Sequence, residues 1–149
     1  MKIVKAMKKI ARLKGEIKEL KHRIQGCIST LIENDYEENI LELSKQLDNK
    51  VQELINLKVG IMEANVKGNM FRTVVGLGEF KSQMDFLKEL TPKKGVQENR
   101  YSDNKTEYKS QISISEKNNL IETCQNQINN LTDILDEFNA KTDVVVQQR

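Results

Sequence analysis

The chain has 149 residues, of which 38% are hydrophobic and 31% charged, with a net charge of +2 and a single proline. This length suits one domain over residues 1–149, and the composition is typical of long helices rather than of a β-sandwich or an α/β enzyme. A net charge this small does not indicate a nucleic-acid partner. We find neither the roughly 20 apolar residues of a membrane span nor the apolar stretch of a signal peptide, so we expect a cytoplasmic protein.

An apolar heptad repeat predicts the first helix, over about residues 2–31. Apolar side chains recur every seven residues in two interleaved series: Ile3, Ile10, Ile17, Ile24 and Leu31, then Ala6, Leu13, Leu20 and Cys27. This alternating spacing of three and four puts all nine side chains on one narrow stripe of the helix, as in a coiled coil.

The same repeat predicts a second helix, over about residues 36–66. Its stripe consists of Ile40, Leu43, Leu47, Leu54, Leu57, Ile61 and Ala64, and Lys50 is the charged exception. The preceding turn, residues 33–35, is short, so the two helices are expected to run antiparallel. Residues 1–32 carry nine Lys or Arg against two Glu, and residues 33–63 carry eight Asp or Glu against three Lys. Opposite charge favours this pairing; the alternative is a basic helix that awaits an anionic partner.

A second apolar set on this helix lies away from the stripe: Leu41, Val51, Ile55 and Met62. A two-helix hairpin would leave these side chains in water, so they predict a further layer from the last helix or from another subunit. We take them as a candidate oligomer face and expect a homo-oligomer.

The pattern changes after the second helix. Glycines bracket an apolar run over about residues 70–75, which predicts a strand, and a brief helix is expected over about 79–90. Residues 93–107 are polar and predict a loop that is mobile or functional, and 108–113 alternate as in a second strand. The two strands are expected to form a small ribbon lying on the helices.

The last helix is expected over about residues 113–141. Ser113 and Glu116 have the spacing of a capping box. Its apolar stripe consists of Ile121, Cys124, Ile128, Leu131, Leu135 and Phe138. The sequence therefore predicts a mainly α fold, in which an antiparallel hairpin of long helices and a C-terminal helix form a coiled-coil-like bundle with a small two-stranded β insert.

Residues that could carry catalysis are sparse. The single histidine, His22, lies off the apolar stripe, so no histidine base is available for an ordinary nucleophile. Cys27 and Cys124 lie on apolar stripes and lack the spacing of metal ligands. We therefore expect no enzyme, no metal site and no cofactor.

A set of polar residues is expected where the helix ends meet the insert: Asn65, Asp85, Arg100, Tyr101, Ser102 and Asn139. If the insert folds over those ends, they form a hydrogen-bonded cluster, which we call the polar junction. Its simplest role is to fix the insert in place. The alternative is a site for a small ligand or an ion.

Part of this set carries a resemblance to a known family. After two opening helices, the chain has Ile61-x-x-x-Asn65, Asp85-x-Leu87, Arg100-Tyr101-Ser102 and Leu135-Asp136-x-x-Asn139. In this it resembles the small bacterial proteins called septicolysin-like, over nearly its whole length. The resemblance implies a cholesterol-type or pore-forming cytolysin and implies no particular reaction.

These features favour a non-catalytic helical scaffold or interaction protein that forms oligomers. A membrane-active cytolysin-like protein is the alternative, based on the resemblance and the basic first helix. The sequence lacks a long apolar helix to insert, so a membrane surface is a less favoured partner. A small-ligand-binding oligomer that uses the polar junction is a third, weaker alternative.

Overall fold

The computed structural model describes residues 1–98, 101 and 105–146. In this part of the chain the elements are α1 (Ile3–Cys27), α2 (Ile40–Lys67), α3 (Phe71–Glu89), β1 (Gly95–Glu98), β2 (Lys105–Tyr108) and α4 (Ile114–Lys141). The predicted fold class, mainly α with a small two-stranded sheet, is confirmed. The residues divide into two compact units, one formed by Met1–Met70 with Asp136–Arg149 and the other by Phe71–Leu135. That they form one domain stays a prediction.

The first unit is built on the packing of α1 against α2. Half of the apolar residues on the predicted stripes are buried here, and the others except Leu31 are half-buried. The buried ones are Ile3, Ala6, Leu13, Ile17 and Leu20 on α1, and Leu43, Leu57 and Ala64 on α2. The cores of the two helices meet in one cluster that includes Leu13 and Leu57. The heptad repeat therefore predicted the correct faces of both helices.

Ion pairs between the two helices follow an antiparallel register. Lys9 Nζ lies 2.5 Å from Glu53 Oε1, and Lys50 Nζ lies 2.7 Å from Glu16 Oε2. From Lys9 to Glu16 the residue number rises on α1, while that of the paired residue falls on α2 from Glu53 to Lys50. The two helices therefore run antiparallel, which confirms the predicted hairpin. Lys50, the charged exception on the α2 stripe, is thus the partner of a carboxylate on α1.

The turn of the hairpin is longer than predicted. α1 ends at Cys27 and α2 begins at Ile40, so residues 28–39 form the connection rather than 33–35 alone. Asn39 caps α2, because its side-chain oxygen accepts hydrogen bonds from two backbone N–H groups of the first turn. A capped start of this kind fixes where a helix begins.

Residues 142–146, which we call the C-terminal segment, complete the core of the first unit. The Val144 N–H donates to the Met1 carbonyl at 2.7 Å, and Lys2 Nζ lies 2.7 Å from Asp143 Oδ2. The Val144 side chain is buried in the same cluster as the α1 and α2 stripes. The segment packs closely against α2 at Gly60, because this residue has no Cβ. A Cβ there would lie 2.5 Å from Val144 Cγ1.

In the second unit, side chains of α3 pack against the first part of α4. The core cluster consists of Met84, Leu87, Cys124 and Ile128, flanked by Leu77, Phe80, Leu90 and Ile121. Lys117 Nζ donates to the carbonyls of Lys88 and Leu90, at 3.1 and 2.6 Å. These carbonyls belong to the C-terminal end of α3, where an α-helix lacks internal donors. The start of α4 therefore lies beside the end of α3.

The predictions for the insert are wrong in three places. Residues 70–75 form no strand, because α3 begins at Phe71. α3 extends to Glu89 and therefore includes the shorter helix expected over 79–90. Strand propensity depends on context. The residues that follow have apolar positions spaced for a helix, which extends backwards through this run.

The sheet lies elsewhere, within the segment expected to be a loop. β1 and β2 pair antiparallel, with Gly95 opposite Tyr108 and Glu98 opposite Lys105. The strand expected over 108–113 is therefore wrong, because β2 ends where that strand was to begin.

We expect Gly60→Ala to destabilise the first unit by about 1–3 kcal/mol, as overpacking of a close contact does. The new Cβ would meet Val144 and also lie 3.0 Å from the Val145 carbonyl oxygen, so the C-terminal segment must move. Gly15→Ala is the matched control, since no atom lies within 4 Å of that Cβ. It is expected to stabilise α1 by up to about 1 kcal/mol. Urea unfolding followed by circular dichroism measures both, and a Gly60→Ala protein as stable as Gly15→Ala would contradict this packing.

Candidate interaction surface

The six residues of the polar junction fall into three groups. Asn65 and Asn139 belong to the first unit, Asp85 and Tyr101 to the second, and Arg100 and Ser102 lie outside the described residues. Asp85 is exposed on α3, and the side chain of Tyr101 is 96% exposed. The polar junction as a single cluster stays a prediction.

The two amides of the first unit differ in their contacts. Asn139 is buried, and its Nδ2 donates a weak hydrogen bond to Met7 Sδ at 3.8 Å. The Asn65 side-chain oxygen is buried without a hydrogen-bond partner among the described residues. A buried acceptor of this kind costs about 1–3 kcal/mol unless water reaches it.

The cleft beside Gly60 and Gly68 in the first unit is small. It has a volume of about 290 Å³ and is lined mainly by apolar atoms, with Glu63, Lys67 and Asp143 contributing charges. Sites that enclose small molecules usually measure roughly 300–1,000 Å³. This cleft therefore makes a poor candidate for the ligand site.

The base of the hairpin turn carries a charged cluster of Arg23, Glu38 and Cys27. Arg23 Nε donates to Glu38 Oε2 at 3.2 Å, and a second guanidinium N–H donates to the other carboxylate oxygen. The hydrogen bonds and charge of Arg23 lower the pKa of Glu38. Burial and the Glu38 carboxylate raise the pKa of the Cys27 thiol, which makes it a poorer nucleophile.

The remaining metal-binding and nucleophilic residue types are dispersed. Cys124 is a free thiol in the core of the second unit, with its Sγ 3.3 Å from the Phe80 carbonyl oxygen. His22 is exposed on α1. Within residues 1–98, 101 and 105–146, no three His, Cys, Asp or Glu side chains are placed to hold a metal ion.

The predicted oligomer face of α2 is largely exposed. Leu41 is 81% exposed, Met62 59% and Ile55 45%, while Val51 is half-buried. At 100° per residue these side chains lie roughly 150° around the helix axis from those buried against α1. α2 is therefore apolar on two nearly opposite sides.

Two further residues extend this face and were missed from the sequence. Val59 and Val66 are exposed, and with Ile55 and Met62 they follow a spacing of four, three and four residues along α2. That spacing is itself the pattern of a helical stripe, so it could have identified Val59 and Val66 from the sequence. We call the complete set the outer face of α2: Leu41, Val51, Ile55, Val59, Met62 and Val66.

A second exposed apolar group lies in the hairpin turn. We call it the tip patch: Ile28, Leu31, Ile32 and Tyr36. Leu31 was expected on the α1 stripe, but α1 ends before reaching it, and Ile32 is fully exposed. None of the helices within the described residues is both long enough and apolar enough to cross a membrane.

Comparison with known proteins places the chain in a family. Residues 11–144 match the family of unknown function DUF6847, and the chain belongs to that family. No curated protein and no solved structure matches it. The match begins within α1 and extends into the C-terminal segment, so it includes both units.

We expect Glu38→Gln to lower the urea midpoint of unfolding at pH 7, and the difference from wild type to fade as the pH falls below 4.5 and through the lowered pKa of Glu38. The pKa of Glu38 is lowered in the folded state from an ordinary value of 4.5. The stabilisation is therefore complete above that value and is lost as the pH falls through the lowered pKa.

Glu37→Gln is the control, since Glu37 is an exposed neighbouring carboxylate whose charge acts on the Cys27 thiol, whereas the ion pair with Arg23 belongs to Glu38. It should change the midpoint little at either pH. An equal loss for both variants at pH 7, or a Glu38→Gln effect that persists in acid, would contradict the role of the Arg23 contact.

Proposed function

We propose that the protein is a non-catalytic helical scaffold that associates with itself through the outer face of α2. The observation behind this proposal is the exposure of five apolar residues, with half-buried Val51 among them, along one side of a 28-residue helix. Contiguous exposed apolar surface is uncommon on monomeric proteins and usually marks a contact site. A stripe with helical period suits contact with another helix.

The outer face is separate from the contact of α2 with α1. Its side chains can be covered without opening the hairpin, because Leu43 and Leu57 already bury the opposite side of α2 against α1. Covering apolar surface contributes about 25 cal/mol for each Å² removed from water. Symmetric homo-oligomers are the commonest protein assemblies, so another copy is the partner we favour.

A non-catalytic role is supported by the chemistry of the described residues. The pKa of the Cys27 thiol is raised, and Cys124 is packed among apolar side chains in the core of the second unit. His22 is exposed on α1. Free thiols suit a reducing compartment, and we propose the cytoplasm as the location.

We expect the wild-type protein to have a molar mass above the 17.2 kDa of one chain in light scattering, and Ile55→Lys/Met62→Lys to approach the single-chain value. Two ammonium groups in an apolar contact would have to be desolvated, which is costly. Circular dichroism should show unchanged helicity, because both positions face water in the single chain.

Ile134→Lys on α4 is the matched control, since Ile134 is 47% exposed and Ile55 is 45% exposed. It should leave the mass unchanged. A wild-type mass of one chain would contradict self-association, and an assembly that survives the double substitution would contradict the outer face of α2 as its site.

The tip patch supports a second candidate function, binding to a membrane surface, as the septicolysin-like resemblance implies. Exposed Ile32 and Leu31 would enter the lipid interface without unfolding α1. Glu33, Asp35 and Glu37 lie in the same turn, and their charge disfavours anionic lipids. This candidate therefore requires binding to neutral vesicles.

Our leading proposal predicts that the protein neither floats with neutral or anionic vesicles nor makes them leak. If the tip patch binds lipid, flotation with phosphatidylcholine vesicles should exceed that with phosphatidylserine-containing ones. The double variant Leu31→Ser/Ile32→Ser should then abolish flotation, whereas Ile55→Lys should leave flotation unchanged.

A further inference from the structure

We infer that the partner of the outer face of α2 is the same face of a second copy, aligned antiparallel so that the two α2 helices overlap end to end. This inference rests on the proposed self-association and specifies its geometry. α2 has 28 residues, from Ile40 to Lys67, so a full overlap is about 42 Å long. In this alignment, facing residues have numbers that sum to about 107.

Four of the six residues of the outer face meet one another in this alignment. Leu41 faces Val66 of the partner subunit, and Val51 faces Ile55 of the partner subunit. Met62 covers the partner's Ser44. Each contact occurs twice because the two-fold axis repeats it. All six residues of the outer face are then covered.

Charge supports the same alignment. Lys45 and Glu63 are both exposed, and their separation of 18 positions equals five helical turns, so they lie on one flank of the outer face. In an antiparallel helix pair, the same flank of each helix comes together. Lys45 therefore lies near Glu63 of the partner subunit, and the reciprocal pair forms at the other end.

A second pair of opposite charges forms nearer the centre. Asp48 interrupts the apolar stripe and is exposed, as is Lys58, which precedes Val59. With facing numbers summing to about 107, Asp48 faces the partner's Val59 and lies within reach of the partner's Lys58. An acid that breaks the stripe thus acquires a basic partner, which also fixes the register.

The other simple alignments are less favourable. A parallel pair in register sets each residue at the centre of the face against its own copy, so Asp48 faces Asp48 and like charges repel. Lys45 and Glu63 then lie on the same flank of each helix, and these flanks do not meet. An antiparallel pair centred on Val59 gathers the apolar residues but brings Lys58 against Lys58 and leaves Leu41 uncovered. Only the end-to-end alignment pairs opposite charges at both positions.

A charge exchange tests the alignment. Lys45→Glu and Glu63→Lys should each raise the dissociation constant of the assembly about 3- to 10-fold at low salt, because two pairs per dimer become repulsive. The double variant Lys45→Glu/Glu63→Lys restores opposite charges and should return the constant to near the wild-type value. Analytical ultracentrifugation measures all four proteins.

The outcomes separate the alignment from the proposed function. A wild-type protein that remains a single chain overturns both. An assembly whose affinity the single variants leave unchanged, or whose loss the double variant does not restore, overturns the alignment alone.

Cross-linking gives a second measurement in a Cys27→Ser background. Ser44→Cys and Met62→Cys proteins should form a disulfide when mixed and oxidised, but neither should do so alone. Val59→Cys that cross-links efficiently with itself would place the axis at Val59 and overturn the end-to-end alignment.

Discussion

The packing of α1 against α2 is the interaction on which the first unit depends. Two heptad stripes supply the buried surface, and ion pairs such as Lys9 with Glu53 fix the relative position of the helices along their length. Apolar packing alone tolerates a shift by one repeat. The charges oppose such a shift, because it would separate carboxylates from their ammonium partners. Together they define one antiparallel register.

The elements that could be predicted from the sequence are those whose pattern repeats locally. α1, α2 and α4 each contain several heptads, so the period identifies the helix and the buried side without knowledge of the rest of the chain. Their ends were less certain. α1 ends at Cys27 although Leu31 continues its repeat, because residues 28–39 form the turn and Asn39 caps the next helix.

The insert was poorly predicted because its structure depends on distant residues. The run that opens α3 is rich in strand-forming side chains, yet it continues a helix whose Met84 and Leu87 pack on α4. β1 and β2 are polar and four residues each, too short to show an alternating pattern against the surrounding loop. Four members of the outer face of α2 were predicted as a second apolar side, whereas Val59 and Val66 were not. No local feature assigns partners to Asn65 or Asp85.

The arrangement of the first unit has a consequence for how the protein is made. Its core combines Ile3 and Leu57, near the beginning of the chain, with Val144, close to the end. The ribosome releases the α1–α2 hairpin long before the C-terminal segment, so the groove at Gly60 stays open while residues 71–135 emerge. The second unit is continuous in sequence and can fold during that interval. Closure of the first unit therefore requires the C-terminal segment and comes after residues 71–135 have been synthesised.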